Sequence, residues 1–147
     1  MKNWKRPRSD TTAVPVVVDT SFWIDYARGR LTPAELEQIE RLARFGAVVL
    51  YQLVWLELVV GFRSIKEQGI LGECRAVSRW DAIQADDGIK AEGFAATLRG
   101  KGRNVGASDL LIMAAADRMG AQLIHHDSDF TAALSLREFA HLKGDLR

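Results

Sequence analysis

The sequence predicts an α/β protein built as a doubly wound parallel sheet of about four to five strands, with helices on both faces. Three observations predict it. Short β-branched apolar runs alternate along the chain with longer stretches whose apolar residues recur at helical spacing. The first of these runs, Val16-Val17-Val18, has no polar position at all, the pattern of a strand covered on both faces in a parallel sheet. It stops at Asp19, followed by two hydroxyl residues, Thr20 and Ser21, and ligands of open parallel sheets gather at the carboxyl ends of their strands.

Length and composition bound the rest. The 147 residues, 48% hydrophobic and 27% charged, suit one domain with one core. Residues 1–12 carry Lys2, Lys5, Arg6 and Arg8 against Asp10 alone and read as a basic, disordered arm ahead of a single domain over 13–147. The formal charge is only +1, so with the arm set aside the remainder is slightly acidic and does not advertise nucleic-acid binding by composition. The apolar run ending at Val18 is too short for a secretory signal, contains Pro15 and ends at a carboxylate, and no stretch reaches membrane-spanning length. One cysteine, Cys74, excludes an internal disulfide and suits a reducing cytoplasm.

Each element has a local cause. After the first strand, 22–27 forms a short helix closed near Gly29. Thr32 caps the next helix and Pro33 fits its first turn; Leu36, Ile39, Leu42 and Ala43 follow at helical spacing up to Gly46. A second strand covers 47–51. Residues 52–63 are apolar almost all round a helix, which predicts a buried one. A helix over 70–80 and a short strand over 82–85 come next. Asp86 and Asp87 then open a helix carrying Ile89, Phe94 and Leu98, as surface acids complementing its dipole. The segment 99–104, with Arg99, Lys101 and Arg103, is a basic loop, either a solvated connection or a phosphate contact. Ala107, Ser108 and Asp109 open a helix over 110–119 ended by Gly120. A strand over 122–126 delivers Asp127 and Asp129, and a short helix over 131–134 and an edge strand over 138–142 finish the chain.

In such a fold Asp19, Glu57, Asp109 and Asp127 can converge. Asp19 also has a plainer reading as a helix cap, and Glu57, the only acid in its apolar helix, as a salt bridge to Arg63. Three or four converging carboxylates repel one another unless cations neutralise them, which implies a divalent metal. All-oxygen ligands point to Mg²⁺ or Mn²⁺, whose usual work is phosphoryl chemistry on a phosphodiester.

The set Asp19-Thr20-Ser21, Trp55-Leu56-Glu57-Leu58 with Gly61 and Arg63, Ser108-Asp109-Leu110-Leu111-Ile112 with Ala114-Ala115, and Asp127-Ser128-Asp129-Phe130 resembles the PIN-domain ribonucleases. Within them it is most similar to the VapC toxins of bacterial VapBC toxin–antitoxin pairs. The similarity covers residues 14 to about 142. It implies a PIN-like fold and a toxin that hydrolyses RNA phosphodiesters with metal-activated water. Asp19, Glu57, Asp109 and Asp127 would hold Mg²⁺ or Mn²⁺, with Asp129 sharing the role of Asp127 or capping a helix. Thr20 or Ser21 would support the site, and Arg63 would touch phosphate or the antitoxin. A VapB-type antitoxin would bind near Glu57 and Trp55, on a homodimer or a higher assembly, with RNA as substrate and no membrane partner.

Two rivals remain at this point. A haloacid-dehalogenase-like phosphohydrolase also starts from a strand-end Asp but needs an acid two positions on, where this chain has Ser21. A non-catalytic PIN-type RNA-binding module would not need the full acid set. His125 and His126 invite a transition-metal reading, but strand neighbours point to opposite faces. Trp23, Trp55 and Trp80 read as core or interface before base stacking, with Trp55 the best interface candidate.

Overall fold

The computed structural model describes residues 13–144, so the basic arm expected over 1–12 lies outside the described residues. Val16–Val18 forms β1 with every residue buried, as its unbroken valine run demands. It pairs in parallel with β2 (Val48–Tyr51) on one side and β4 (Gln122–Ile124) on the other. β3 (Arg79–Asp81) adds in parallel to β2, giving the order β3-β2-β1-β4. The chain thus walks outward from β1 and then returns to its far side. The strand order reverses between β1 and β4, and the crevice at their carboxyl ends is the switch point where α/β folds bind ligands.

Around the sheet stand α1 (Thr20–Ala27), α2 (Pro33–Arg44), α3 (Gln52–Gly61), α4 (Ile65–Val77), α5 (Ala85–Gly100), α6 (Ala107–Met119) and α7 (Ser128–Leu134), with a final 3₁₀ turn over Arg137–Leu142. Local chemistry explains their ends. Thr32 and Glu35 form a reciprocal capping box on α2, as the Thr-Pro start predicts. Gly120 takes φ 63° and closes α6 in the left-handed conformation that only glycine adopts freely. Phe22, Trp23, Leu58 and Ile112 are fully buried in one core, each contributing roughly 2 kcal/mol by leaving water. The core, rather than any attraction among the acids, therefore holds the frame in place.

Several expectations need correction. The helix expected over 70–80 begins at Ile65, because Ser64 and Glu67 form a capping box that precedes the apolar spacing. It ends at Val77, and Trp80 lies in β3, three residues before the strand expected over 82–85. The expected edge strand over 138–142 is a 3₁₀ turn, and only Lys143 bridges to Leu123. β4 stops at Ile124, leaving His125 and His126 beyond its end. α3 is not buried all round: Leu56, Val59 and Val60 are 45%, 43% and 70% exposed. Asp87 is no surface acid but is 1% exposed, accepting from Arg118, from the Tyr51 hydroxyl at 2.9 Å and from the Gln84 N–H at 3.1 Å.

Candidate active site

Asp19 sits one residue past β1, its N–H still donating to the Ile124 carbonyl of β4 at 2.9 Å. The backbone is therefore locked to both strands of the switch point, and Asp19, 4% exposed, is buried just past the end of β1. Its two readings coexist. Oδ2 caps α1, accepting from Ser21 N at 3.1 Å and from Ser21 Oγ at 2.6 Å, whereas Oδ1 takes no hydrogen bond from the described residues. Ser21 Oγ in turn accepts from the His126 N–H at 3.0 Å, tying the start of α1 to the segment after β4.

Thr20 Oγ1 donates to Glu57 Oε1 at 3.0 Å, bringing α3 to the same edge. Burial pushes the Glu57 carboxyl above the usual carboxylate range, the Thr20 bond opposes this, and the Asp19 charge adds to the rise. Glu57 makes no salt bridge with Arg63. Asp109 lies in the first turn of α6, behind the N-cap Gly106. Burial first, and then the charges of Asp19, Asp127, Glu57 and Asp129, push its pKa up to about 6. Asp127 caps α7, accepting from the Asp129 N–H at 2.7 Å, and its own N–H donates to His125 Nδ1 at 3.1 Å. Asp129 is exposed beside it.

The fold thus brings the five predicted acids into one electrostatic neighbourhood, and the forces that move Asp109 are burial and other acids, with no cation among them. Such a set of hard oxygen donors fits Mg²⁺ or Mn²⁺. The acids share a field rather than a closed coordination sphere: among the described residues no group of three Asp, Glu, His or Cys side chains forms a ready ion cage.

Arg63 forms no ion pair among the described residues. It is exposed beyond α3, with its N–H 3.3 Å from Glu67 Oε1. Arg28 instead lines a cavity of about 130 Å³ beside Glu57, with Gly61 and Glu67 in the same wall. The two histidines pack on different rings, His125 on Phe130 and His126 on Phe22. Burial lowers the pKa of His125. Burial also presses down on His126, but hydrogen bonds to Asp25 (2.7 Å) and Glu35 outweigh it and raise the pKa. Nothing in the sequence flags this clamp of Asp25, Glu35 and His126, because its members come from α1, α2 and the segment after β4. Trp23 is fully buried and unable to stack on a ligand. Trp55 meets Trp80 edge-on at 6.4 Å, with the Arg75 guanidinium over both rings.

Fold and site together define a class: a parallel α/β domain whose acids, drawn from four separate segments, gather at the topological switch point. The sequence profile of the PIN domain matches residues 16–133, and the chain belongs to that family. Over 120 residues it is 29% identical to the VapC ribonuclease Mb1587 of Mycobacterium bovis and to Ribonuclease VapC11 of Mycobacterium tuberculosis, covering 78% of this chain and 88% of each relative. Among solved structures it is similar to VapBC2 of Rickettsia felis bound to a promoter DNA fragment, with TM-score 0.70, 19% identity, and 81% and 92% of the two chains covered. It also resembles Mycobacterium tuberculosis VapC20, a sarcin-ricin loop cleaving toxin, with TM-score 0.55, 25% identity, and 80% and 94% covered. The expected resemblance and the PIN-like parallel fold are therefore both found.

Proposed function

We propose that this chain is a divalent-metal-dependent endoribonuclease of the VapC type, the toxin of a type II toxin–antitoxin pair, acting in the cytoplasm. The observation that carries the reading is the acid set around Asp109, pushed up to about 6 by burial and four neighbouring carboxylates. The names of its relatives, VapC ribonucleases, support the substrate class.

In this reading Asp19, Glu57, Asp109 and Asp127 hold Mg²⁺ or Mn²⁺, with Asp129 adding charge beside Asp127. When bound, the ion supplies a more acidic water and a clamp for phosphate oxygens. The chain's own residues prepare the place. Thr20 holds Glu57 Oε1, and Ser21 holds Asp19 Oδ2, which leaves Oδ1 without a hydrogen bond from the described residues. Burial of Asp19 and partial burial of Glu57 and Asp109 reduce screening by bulk water, which strengthens their hold on a cation and raises the cost of leaving them unneutralised. The phosphohydrolase rival loses ground, because the position that would carry its second acid, Ser21, is engaged in capping and in bridging to His126. A VapB-type antitoxin fits the exposed apolar flank of α3, where Leu56, Val59 and Val60 lie beside Glu57. Homodimerisation uses another surface.

Cleavage of RNA by purified protein, with Mg²⁺ and with chelator, tests this. Wild type should cut only with the metal, and Asp109→Asn should be inactive yet folded. Undiminished cutting by Asp109→Asn in chelator would refute the proposal.

A further inference from the structure

The connection between α5 and α6 carries cations that the acid site does not use. Residues 93–108 hold Arg99, Lys101 and Arg103 and not one acid, although Glu92 and Asp109 flank them immediately. They span the last turns of α5, a connection turned by Gly102 at φ 68°, and the first turn of α6. Arg99, Lys101 and Arg103 are all exposed. Some cations elsewhere are tied to acids: Arg30 to Asp25, Lys90 to Asp117, and Arg118 to Asp81 and Asp87. Within the loop only Lys101 is paired, with Glu138 at 3.4 Å. Arg99 and Arg103 form no ion pair among the described residues, and both line a cavity of about 320 Å³ whose floor includes Gly102, Asn104 and Val105. The Arg103 N–H donates to the Leu98 carbonyl at 2.8 Å, so the loop is folded back on α5.

Two constraints fix where this loop stands. Its downstream end is Gly106, the N-cap of α6, and Asp109 follows three residues later. Its upstream side is joined by Lys101–Glu138 to the 3₁₀ turn that follows α7, the helix capped by Asp127. Asp109 lies six positions after Arg103, which caps their separation at roughly 20 Å of extended chain. That is a span of a few nucleotides. An acid cluster repels a polyanion, so a substrate strand needs cations just outside it, and planar guanidinium groups suit phosphate oxygens.

We infer that the 99–104 loop is the phosphate-binding rim of the site, with Arg99 and Arg103 taking backbone phosphates of an RNA strand on one side of the scissile bond. The assignment rests on the ribonuclease reading for its substrate, but its test does not depend on cleavage. Arg99 and Arg103 are binding residues in this assignment and take no part in the chemistry.

The experiment uses the full chain and a fluorescent single-stranded RNA, with anisotropy read in chelator at several KCl concentrations. Arg99→Gln/Arg103→Gln is compared with wild type and with Arg41→Gln/Arg44→Gln on α2, a control of equal charge change. Wild-type log affinity should fall linearly with log salt. The loop variant should flatten that slope by about 1.4, two phosphates at roughly 0.7 each on a single strand, and bind about tenfold more weakly at low salt. With Mg²⁺, KM should rise and kcat should stay near wild type. An unchanged slope in the loop variant, or an equal change in the α2 control, would overturn the assignment. If wild type cuts no RNA yet the loop variant flattens the slope, the rim stands and the ribonuclease reading falls.

Discussion

Thr20 Oγ1 donates a 3.0 Å hydrogen bond to Glu57 Oε1, joining the first turn of α1 to the middle of α3 across thirty-seven positions of sequence. The bond lowers a carboxyl pKa that burial raises, so it favours the charged form of Glu57 and aims it. Groups that orient a ligand from behind are typically worth 10- to 100-fold in metal affinity or activity, so Thr20→Val should cost about that much. Higher Mg²⁺ should recover part of the loss, and Thr20→Ser should retain activity. A Thr20→Val enzyme with an unchanged Mg²⁺ dependence would mean that the bond only packs α1 on α3.

Asp109 gives a pH prediction for the chelated protein. Its folded pKa is raised to about 6, above the unfolded value near 4. Its contribution to stability is therefore fully present below the unfolded value and is lost as pH rises through about 6. Melting temperature in chelator should respond in that window for wild type and respond less in Asp109→Asn. Saturating Mg²⁺ should remove the difference by binding the folded form alone. Identical profiles for both proteins would place Asp109 outside the acid cluster's field.

The Arg118–Asp87 pair, whose carboxylate is buried, works with the opposite sign. Burial pushes the Asp87 carboxyl up, but Arg118, the Gln84 N–H and the Tyr51 hydroxyl together hold it below the ordinary carboxylate range. Its stabilisation is present at neutral pH and is lost as pH falls through that lowered value. Arg118→Met leaves a 1% exposed carboxylate without its partner and should cost about 3 kcal/mol in chemical denaturation. A cost under about 1 kcal/mol is what a water-screened surface pair would give.

The α3 flank predicts a separable binding defect. Val60 is 70% exposed, so Val60→Lys should leave stability within about 0.5 kcal/mol of wild type. It should weaken capture of a VapB-type antitoxin while leaving RNA cleavage intact. Unchanged antitoxin affinity would move the partner to another face.

What could be read from the sequence was what local chemistry determines. Val16–Val18 had to be a two-sided strand, and Asp19 had to stand at its end, because a parallel sheet buries every residue of such a run. Thr32, Pro33 and Gly120 marked helix ends by their own capping chemistry. The errors share a cause in partners distant along the chain. Asp87 looked like a first-turn surface acid until Arg118, thirty-one positions on, reached it. α3 looked buried because a helix apolar all round reads the same whether it faces a core or an exposed interface. Trp80 sits in an edge strand too exposed to show an apolar run. The plainer reading of Glu57 as a salt bridge to Arg63 is not found, because the chain leaves α3 at Phe62, and Arg28, just past α1, lines the cavity beside Glu57.

The chemistry of the RNA ends tests the central claim, that the carboxylates rather than the histidines cut. A mechanism in which the ribose 2′-hydroxyl attacks its own phosphate wants an imidazole base and acid. Here His125 is pressed toward neutrality by burial and His126 is clamped between Asp25 and Glu35. Mass spectrometry of the products from a defined RNA, cut by wild type with Mg²⁺, should find 5′-phosphate and 3′-hydroxyl ends. A 2′-deoxy substitution at the cut should slow the reaction only through lost contacts. A 2′,3′-cyclic phosphate on the upstream fragment would contradict hydrolysis at the acid cluster.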